Sequence, residues 1–270
     1  MATRYPERIV CLTEETTETL YAMGEDWRIV GISGFTVRPP RARKEKPRVS
    51  AFTSARIERI LALEPDLVLG FSDLQADIAA ELVRAGIPVH VFNHRSVEEI
   101  FTMIGMLGGM IGHQDKAWSL ITILRRGVEE VRKRASALPA RPRIYFEEWD
   151  DPQISGIRWV SELIAIAGGD DCFPELAAEP LGKKRIIARP EEVIARQPDI
   201  IMGSWCGKKF RAERVAARPG WQDIPAVRDG ELHEVKSALI LQPGPAALTD
   251  GLQELSRIIN AWSARTSGLQ

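Results

Sequence analysis

The sequence predicts an α/β protein of two Rossmann-like lobes with parallel sheets, joined by one long rigid α-helix. Three observations lead there: a stretch that occurs twice, an alternation of strands and helices around each copy, and one long amphipathic run between the copies. "LALEPDLVLGF" at residues 61–71 and "IARQPDIIMGS" at residues 194–204 both read as a helix end, Pro-Asp, and an apolar run closed by Gly. Extended back to Glu58 and Glu191, five of thirteen aligned positions are identical: Glu58/Glu191, Ala62/Ala195, Pro65/Pro198, Asp66/Asp199 and Gly70/Gly203, 133 residues apart.

Taken in order, "ERIVCLTEETTETLYAMG" gives a strand, an acidic loop and an amphipathic helix ending at Gly. In "ARIERILALEPDLVLG", Ile57, Ile60, Leu61 and Leu63 fall at helical spacing. Pro65 ends that helix, because its ring lacks an N–H and clashes with the preceding turn. "DLVLG" follows as a short apolar run suited to a strand covered on both faces. "ADIAAELVRAGIPVHVF" then adds helix, Gly stop and strand. The second half repeats the order: "PRIYFEEWDDPQISGIRWVSELIAIAGG", then Val193, Ile194, Pro198 and "DIIMG", then "WQDIPAVRDGELHEVK" with a turn at Asp229-Gly230. Between the halves, residues 114–137 contain no Pro and carry Trp118, Ile121, Leu124, Val128 and Val131 at three- and four-residue steps. That is a helix of about 36 Å at 1.5 Å per residue, a stiff connector that disfavours large hinge motion. The division is therefore residues 1–113, an N-terminal lobe; 114–137, the connecting helix; and 138–270, a C-terminal lobe.

Composition narrows the function. The chain has 270 residues, is 44% hydrophobic and 27% charged, and carries a net charge of -1, so no global field favours nucleic acid. No apolar run reaches the roughly 18 residues of a membrane span, which argues against membrane insertion. The start, "MATRYPERIVCL", has no apolar leader pattern, so as it stands the sequence reads as cytoplasmic, and as periplasmic if a leader has been removed. Three scattered cysteines, Cys11, Cys172 and Cys206, form neither a zinc pattern nor a disulfide framework, and Cys11 reads as a buried inert thiol. "GSWCGKKF" lacks the spacing and the Ser/Thr of a phosphate loop. "GMLGGMIG" ends a helix and serves helix packing and chain reversal. His90 and His94 lie four apart on a strand and turn, where they do not converge on a metal, and His113 and His233 lack ligand-spaced neighbours. No nucleophile with its base is recognisable, so the sequence predicts no catalytic residues, no metal site and no enzyme.

In open α/β sheets, ligands bind outside the carboxyl ends of the strands. The acidic pairs Glu14-Glu15, Glu147-Glu148 and Asp150-Asp151 fall in such loops, where they either face a ligand or complement a helix N-terminus. Phe35, Phe52, Phe71, Trp149, Trp159 and Trp205 fall there too and suit a flat, partly apolar ligand. Trp27, Trp118, Trp221 and Trp262 read as core. By analogy between the repeats, Ser204, Trp205 and Cys206 project after Gly203 as Phe71 does after Gly70. Trp205 can stack on a ring face or cover the core. Cys206 beside Lys208 and Lys209 is either a thiolate within reach of a metal centre or a bystander.

These segments, with "VGISGFTVRPP", "AGIPVHVFN", "SELIAIAGG", "PEEVIARQPDIIMG" and "RPGWQDIPAVRDGELHEVK", resemble the helical-backbone class (class III) of periplasmic binding proteins over nearly the whole chain. Within that class they are most similar to cobalamin-binding components of ABC importers. The resemblance implies non-catalytic capture of a corrinoid, cobalamin or cobinamide, in an interlobe cleft, with no cofactor of the protein's own. It implies an aromatic contact at Phe71, a facing wall with Trp149, Ser155, Gly156, Arg158, Trp205 and Cys206, and a closing loop with Gln242, Pro243 and Gly244. Siderophore and haem binders share the scaffold, so another metal chelate is the alternative. A corrinoid-processing enzyme, with Lys208, Lys209 and Arg211 near the acidic loops, is a further one. Docking to an importer permease in this class uses an acidic residue on each lobe. The N-lobe position reads Ala76 here, with Asp73 and Asp77 nearby, and this departure weakens the docking expectation and makes a cytosolic carrier an alternative.

Overall fold

The computed structural model describes residues 5–268, and these divide into two units. The first comprises the chain up to His94 and Glu98–Leu124, and the second comprises Arg95–Val97 and the chain from Arg125 onward. In the first unit run β1 (Ile9–Cys11), α1 (Glu14–Ala22), β2 (Ile29–Ser33), α2 (Ala42–Glu45), β3 (Arg48–Ser50), α3 (Ile57–Leu61), β4 (Leu67–Phe71), α4 (Ala76–Arg84) and β5 (Val89–Phe92). Its sheet has the order β3-β2-β1-β4-β5, and every pairing in it is parallel. The apolar run of β4 is buried throughout, as expected of a strand with helices on both faces. Val10, Leu12, Val49, Ile60, Val68, Ile78 and Leu82 form one core cluster of this unit.

Two helices follow, α5 (Val97–Met110) and α6 (Gln114–Ala135). The glycine-rich end of α5 does what the sequence suggests. A Cβ on Gly108 would lie 2.3 Å from the Cβ of Ala117, so Gly there lets α5 and α6 approach closely. α6 is unbroken over 22 residues, about 33 Å. Ile121, Leu124, Val128 and Val131 are buried on it, whereas Trp118 is 56% exposed. Trp27 is likewise exposed, its indole N–H donating to Glu25 at 3.1 Å. Helical spacing alone assigned Trp118 to the core; it stands one step outside the buried stripe.

The second unit contains β6 (Arg143–Asp150), β7 (Gln153–Ser155), α7 (Arg158–Ala167), β8 (Asp170–Asp171), α8 (Pro174–Ala177), α9 (Glu191–Arg196), β9 (Ile200–Gly203), α10 (Ala212–Ala216), α11 (Pro225–Arg228), β10 (Leu232–Glu234), α12 (Ser237–Ile240) and α13 (Leu252–Ser267). The sheet order is β10-β9-β6-β7, with β8 pairing β6. All of these pairings are parallel except β6–β7, a hairpin turning at Asp151-Pro152. Here the reading of an acidic loop is corrected. Glu147, Glu148, Trp149 and Asp150 belong to β6 itself, because the hairpin partner extends the strand past its parallel neighbours.

The repeat holds at the level of single bonds. Asp66 accepts from the backbone N–H groups of Glu7 and Arg8 at 2.8 and 2.9 Å, and its own N–H donates to Arg8 O. Asp199 accepts from Arg143 N–H at 2.8 Å, and its N–H donates to Arg143 O at 2.8 Å. The residues before the two prolines, Glu64 and Gln197, share left-handed φ values of 47° and 46°. Each Pro-Asp thus turns the chain sharply and fastens the start of the strand opening its unit, β1 or β6. A hydrogen bond of a charged group contributes about 1.5–3 kcal/mol. Asp66→Ala and Asp199→Ala should each lower the urea midpoint by the equivalent of about 1–3 kcal/mol. Unchanged midpoints would show the clamps to be ornamental.

Candidate functional site

In the first unit the carboxyl ends of four of the five strands bear predicted residues: Glu14 and Glu15 after β1, Phe35 after β2, Phe52 after β3 and Phe71 at the end of β4. One buried amide ties three of these ends together. Gln75 accepts from Phe71 N–H at 2.9 Å through Oε1, and its Nε2 donates to Phe52 O at 2.9 Å and Leu12 O at 3.5 Å. No motif announces Gln75 in the sequence; only its burial and three partners do. Phe71 is buried at the end of β4, its ring edge-on to that of His94 at 5.1 Å between centroids. Phe35 is 52% exposed after β2, and Phe52 is half-buried after β3. These two present aromatic surface at the rim.

Glu14 and Glu15 turn inward instead. They occupy the first turn of α1, and both are buried. Glu14 accepts from Ser33 Oγ at 2.9 Å, and burial raises its pKa against that hydrogen bond. Glu15 accepts from Thr13 Oγ1, and burial, reinforced by the neighbouring Glu14 charge, pushes its pKa up to about 8. The helix-terminus reading of this pair fits the packing, because α1 lays its first turn against the sheet with Thr13, Thr16 and Thr17 also buried.

In the second unit the centre is Glu147, fully buried on β6. Its carboxylate accepts from Tyr145 Oη at 2.8 Å, from Trp205 Nε1 at 3.0 Å, and from both terminal nitrogens of Arg218 at 2.6 and 2.9 Å. Trp205 is therefore held from inside. It is 3% exposed, and Phe210 packs edge-on against it at 5.0 Å. Gly203 gives up its side chain to that same ring, since a Cβ there would sit 1.9 Å from Phe210. Trp159 is also buried, its indole N–H donating to Ile240 O at 2.8 Å. The expectation that Trp159 and Trp205 offer open stacking faces is corrected: a buried polar acceptor draws each indole N–H inward, and the ring follows.

Around this centre, Ser155 is buried with its Oγ donating to Arg185 O, and Gly156 packs against Phe146. Arg185 itself is buried and bidentate to Glu148 at 2.9 and 3.0 Å. Ser204 is buried with its Oγ unpartnered. The open positions are Arg158, paired with Glu162 at 2.9 Å, Cys206, and the half-buried Trp149 and Gln242; Pro243 is buried. The Lys208 ammonium pairs with Asp150 and lies 4.1 Å from the Trp149 ring centroid, so its charge is directed there. Cys11 is buried with its thiol pushed up to about 12 by desolvation, as expected of an inert one. Among the described residues no group of three or more His, Cys, Asp or Glu is placed to hold a metal ion, and no helix is long and apolar enough to cross a membrane.

The chain belongs to the periplasmic binding protein family, whose profile matches residues 9–239. Its two α/β units and the unbroken α6 are the architecture of the helical-backbone class, a class of solute-binding proteins. It is 26% identical over 263 residues to an ABC transporter substrate-binding lipoprotein of Bacillus subtilis, covering 94% of this chain and 80% of that one. It is 26% identical over 262 residues to a vitamin B12-binding protein of Vibrio parahaemolyticus, covering 92% and 88%. Among solved structures, a periplasmic haem-binding protein from a Roseiflexus species superposes with a TM-score of 0.78 at 25% identity, covering 94% of this chain and 99% of that one.

Two outcomes test this geometry. Trp205→Ala should lower stability by about 3–5 kcal/mol, read by denaturant unfolding, because it opens a core cavity and removes a partner of Glu147; an unchanged midpoint would place the ring at the surface. For Glu15, the folded state keeps the proton up to about pH 8, whereas the unfolded chain releases it near the ordinary value of 4.5. Folded chains thus bind the extra proton across that window, and this carboxyl's contribution to stability is lost as pH rises through it. Glu15→Gln should therefore flatten the decline in melting temperature between about pH 5 and 8. An identical slope in the variant would show that Glu15 ionises freely.

Proposed function

We propose that the chain binds a corrinoid, cobalamin or cobinamide, non-covalently at its strand-end loops and without chemical turnover. The observation that carries this reading is the 262-residue match to a protein named for binding vitamin B12. The site geometry supports it: Phe35 and Phe52 leave aromatic surface open at strand ends, and Trp149 is half-buried with Lys208 over one face of its ring, surfaces suited to the partly apolar edge and face of a macrocycle. The buried titratable groups are committed to internal partners, which fits capture better than catalysis. The bound corrinoid would pass to an ABC permease, as the substrate-binding lipoprotein relative suggests. Asp73 and Asp77, exposed on either side of Ala76, are the acidic groups nearest the expected docking position in the first unit. Handling within the cell is the other use for the same binding, and cell fractionation separates the two.

A second chelate class has an observation of its own. The solved haem-binding neighbour shares the fold across nearly the whole chain, so haem or an iron-siderophore is the competing ligand. Titration with cobalamin, cobinamide, haemin and a ferric siderophore, followed by absorbance and calorimetry, decides between them. A corrinoid should bind at or below about ten micromolar. Phe35→Ala and Trp149→Ala should each weaken it about threefold to tenfold, with the melting temperature of the empty protein nearly unchanged. Silence from both corrinoids with a response to haemin or the siderophore would transfer the assignment to that ligand. Loss of ligand with change in product mass would make the protein an enzyme.

A further inference from the structure

The segment "RVSAFTSARIER", residues 48–59, builds a feature that the corrinoid reading does not use. Strand alternation puts Arg48 and Ser50 on one side of β3 and Val49 on the other, where it joins the core. The chain then folds back on itself: Ala51 N–H donates to Ser54 O at 2.7 Å, and Arg56 N–H donates to Val49 O at 2.9 Å. This return brings Arg56 beside β3, and α3, which starts just after it, carries Arg59. Because β3 is the edge of its sheet, no further strand covers the result.

The result is a cavity of about 390 Å³, lined by Gly34, Arg48, Ser50, Ser54, Arg56 and Arg59 among others. No acidic residue lines it. Among the described residues none of these three guanidiniums has a carboxylate partner, in contrast to Arg28, Arg185 and Arg218. The Ser50 hydroxyl is enclosed and has no hydrogen-bond partner. Three like charges around one cavity repel one another, so an anion bound there is stabilised by all of them together. The guanidinium fork matches carboxylate and phosphate oxygens in pairs, and the volume lies within the range of small-molecule sites.

We propose that this cavity is an oxyanion-binding site for a compact polyanion, a polyphosphate or polycarboxylate, either free or as acid groups carried on a larger ligand. Arg48, Arg56 and Arg59 supply the charge. The site lies wholly within the first unit and does not depend on corrinoid binding.

Calorimetric titration of the full chain with sodium pyrophosphate and with citrate at low salt tests the free-anion arm. At least one should bind with a Kd below about 1 mM and weaken as sodium chloride is added. Arg56→Ala/Arg59→Ala, with Arg48→Ala as an independent variant, should weaken it about tenfold or more while circular dichroism and melting temperature stay at the wild-type values. The carried-group arm compares cobinamide, whose ring substituents are amides, with cobyrinic acid, in which they are carboxylates. A preference for the acid form that disappears in the double variant assigns the site to groups on the ligand. Pyrophosphate or citrate binding with no such preference assigns it to a free anion. If the wild type takes neither anion and shows no preference for the acid form, or if the arginine variants bind as the wild type does, the proposal falls. Anion binding without any corrinoid binding would keep this site and overturn only the corrinoid reading.

Discussion

Each half of this protein hangs on an aspartate that follows a proline. Pro65 and Pro198 end a helix, the residue before each adopts a left-handed backbone, and the next carboxylate reaches the first amides of a strand distant in sequence. Those amides sit where the strand begins, before the ladder can satisfy them in full, so a charged acceptor there counts for more than one more ladder bond. The bond also sets register, since β1 and β4, like β6 and β9, run parallel from this fixed end. A parallel pair has no tight turn to align it. The Pro-Asp carboxylate does that work locally, and this explains why the chain keeps the dipeptide in both copies.

At the opposite ends of the strands, alignment passes to buried polar side chains. Gln75 holds three loops of the first unit, and Glu147 gathers Tyr145, Trp205 and Arg218 in the second. A buried charge is costly alone, and Glu147 is tolerated because four donors surround it. Such a network fixes loop conformation more narrowly than apolar packing, since each member loses heavily if a partner moves.

That division explains what the sequence discloses and what it conceals. The Pro-Asp repeat, the helix over residues 114–135 and the strand–helix alternation are local patterns, so the fold class and element order are legible. The rim is less so. Trp149 and Trp205 both stand at the carboxyl end of a strand, yet one is half-open and the other closed, because Glu147 and Arg218 come together beside Trp205 only after folding. The hairpin that draws Glu147 and Glu148 into β6 depends on pairing with residues after Pro152, which no periodicity within the acidic stretch records. Trp118 shows the same limit on a helix: the spacing fits, and the angle misses the buried stripe by one step.

The two copies of the frame also differ in how they treat charge. At the strand ends of the second unit three cations are answered: Arg218 by Glu147, Arg185 by Glu148, Lys208 by Asp150. In the first unit the order is reversed. Glu15 is held protonated near neutral pH by burial, which withdraws a negative charge from the rim, while Arg48, Arg56 and Arg59 keep theirs unanswered around an open cavity. Since exposed charges act within about a Debye length, roughly 8–10 Å at physiological salt, each rim presents its own local field whatever the net charge of the whole chain. Phe35 and Phe52 in the first unit and Trp149 in the second keep part of their rings uncovered, and the three arginines stand only in the first. One local frame occurs twice, and the placement of a few ionisable side chains makes the copies unequal.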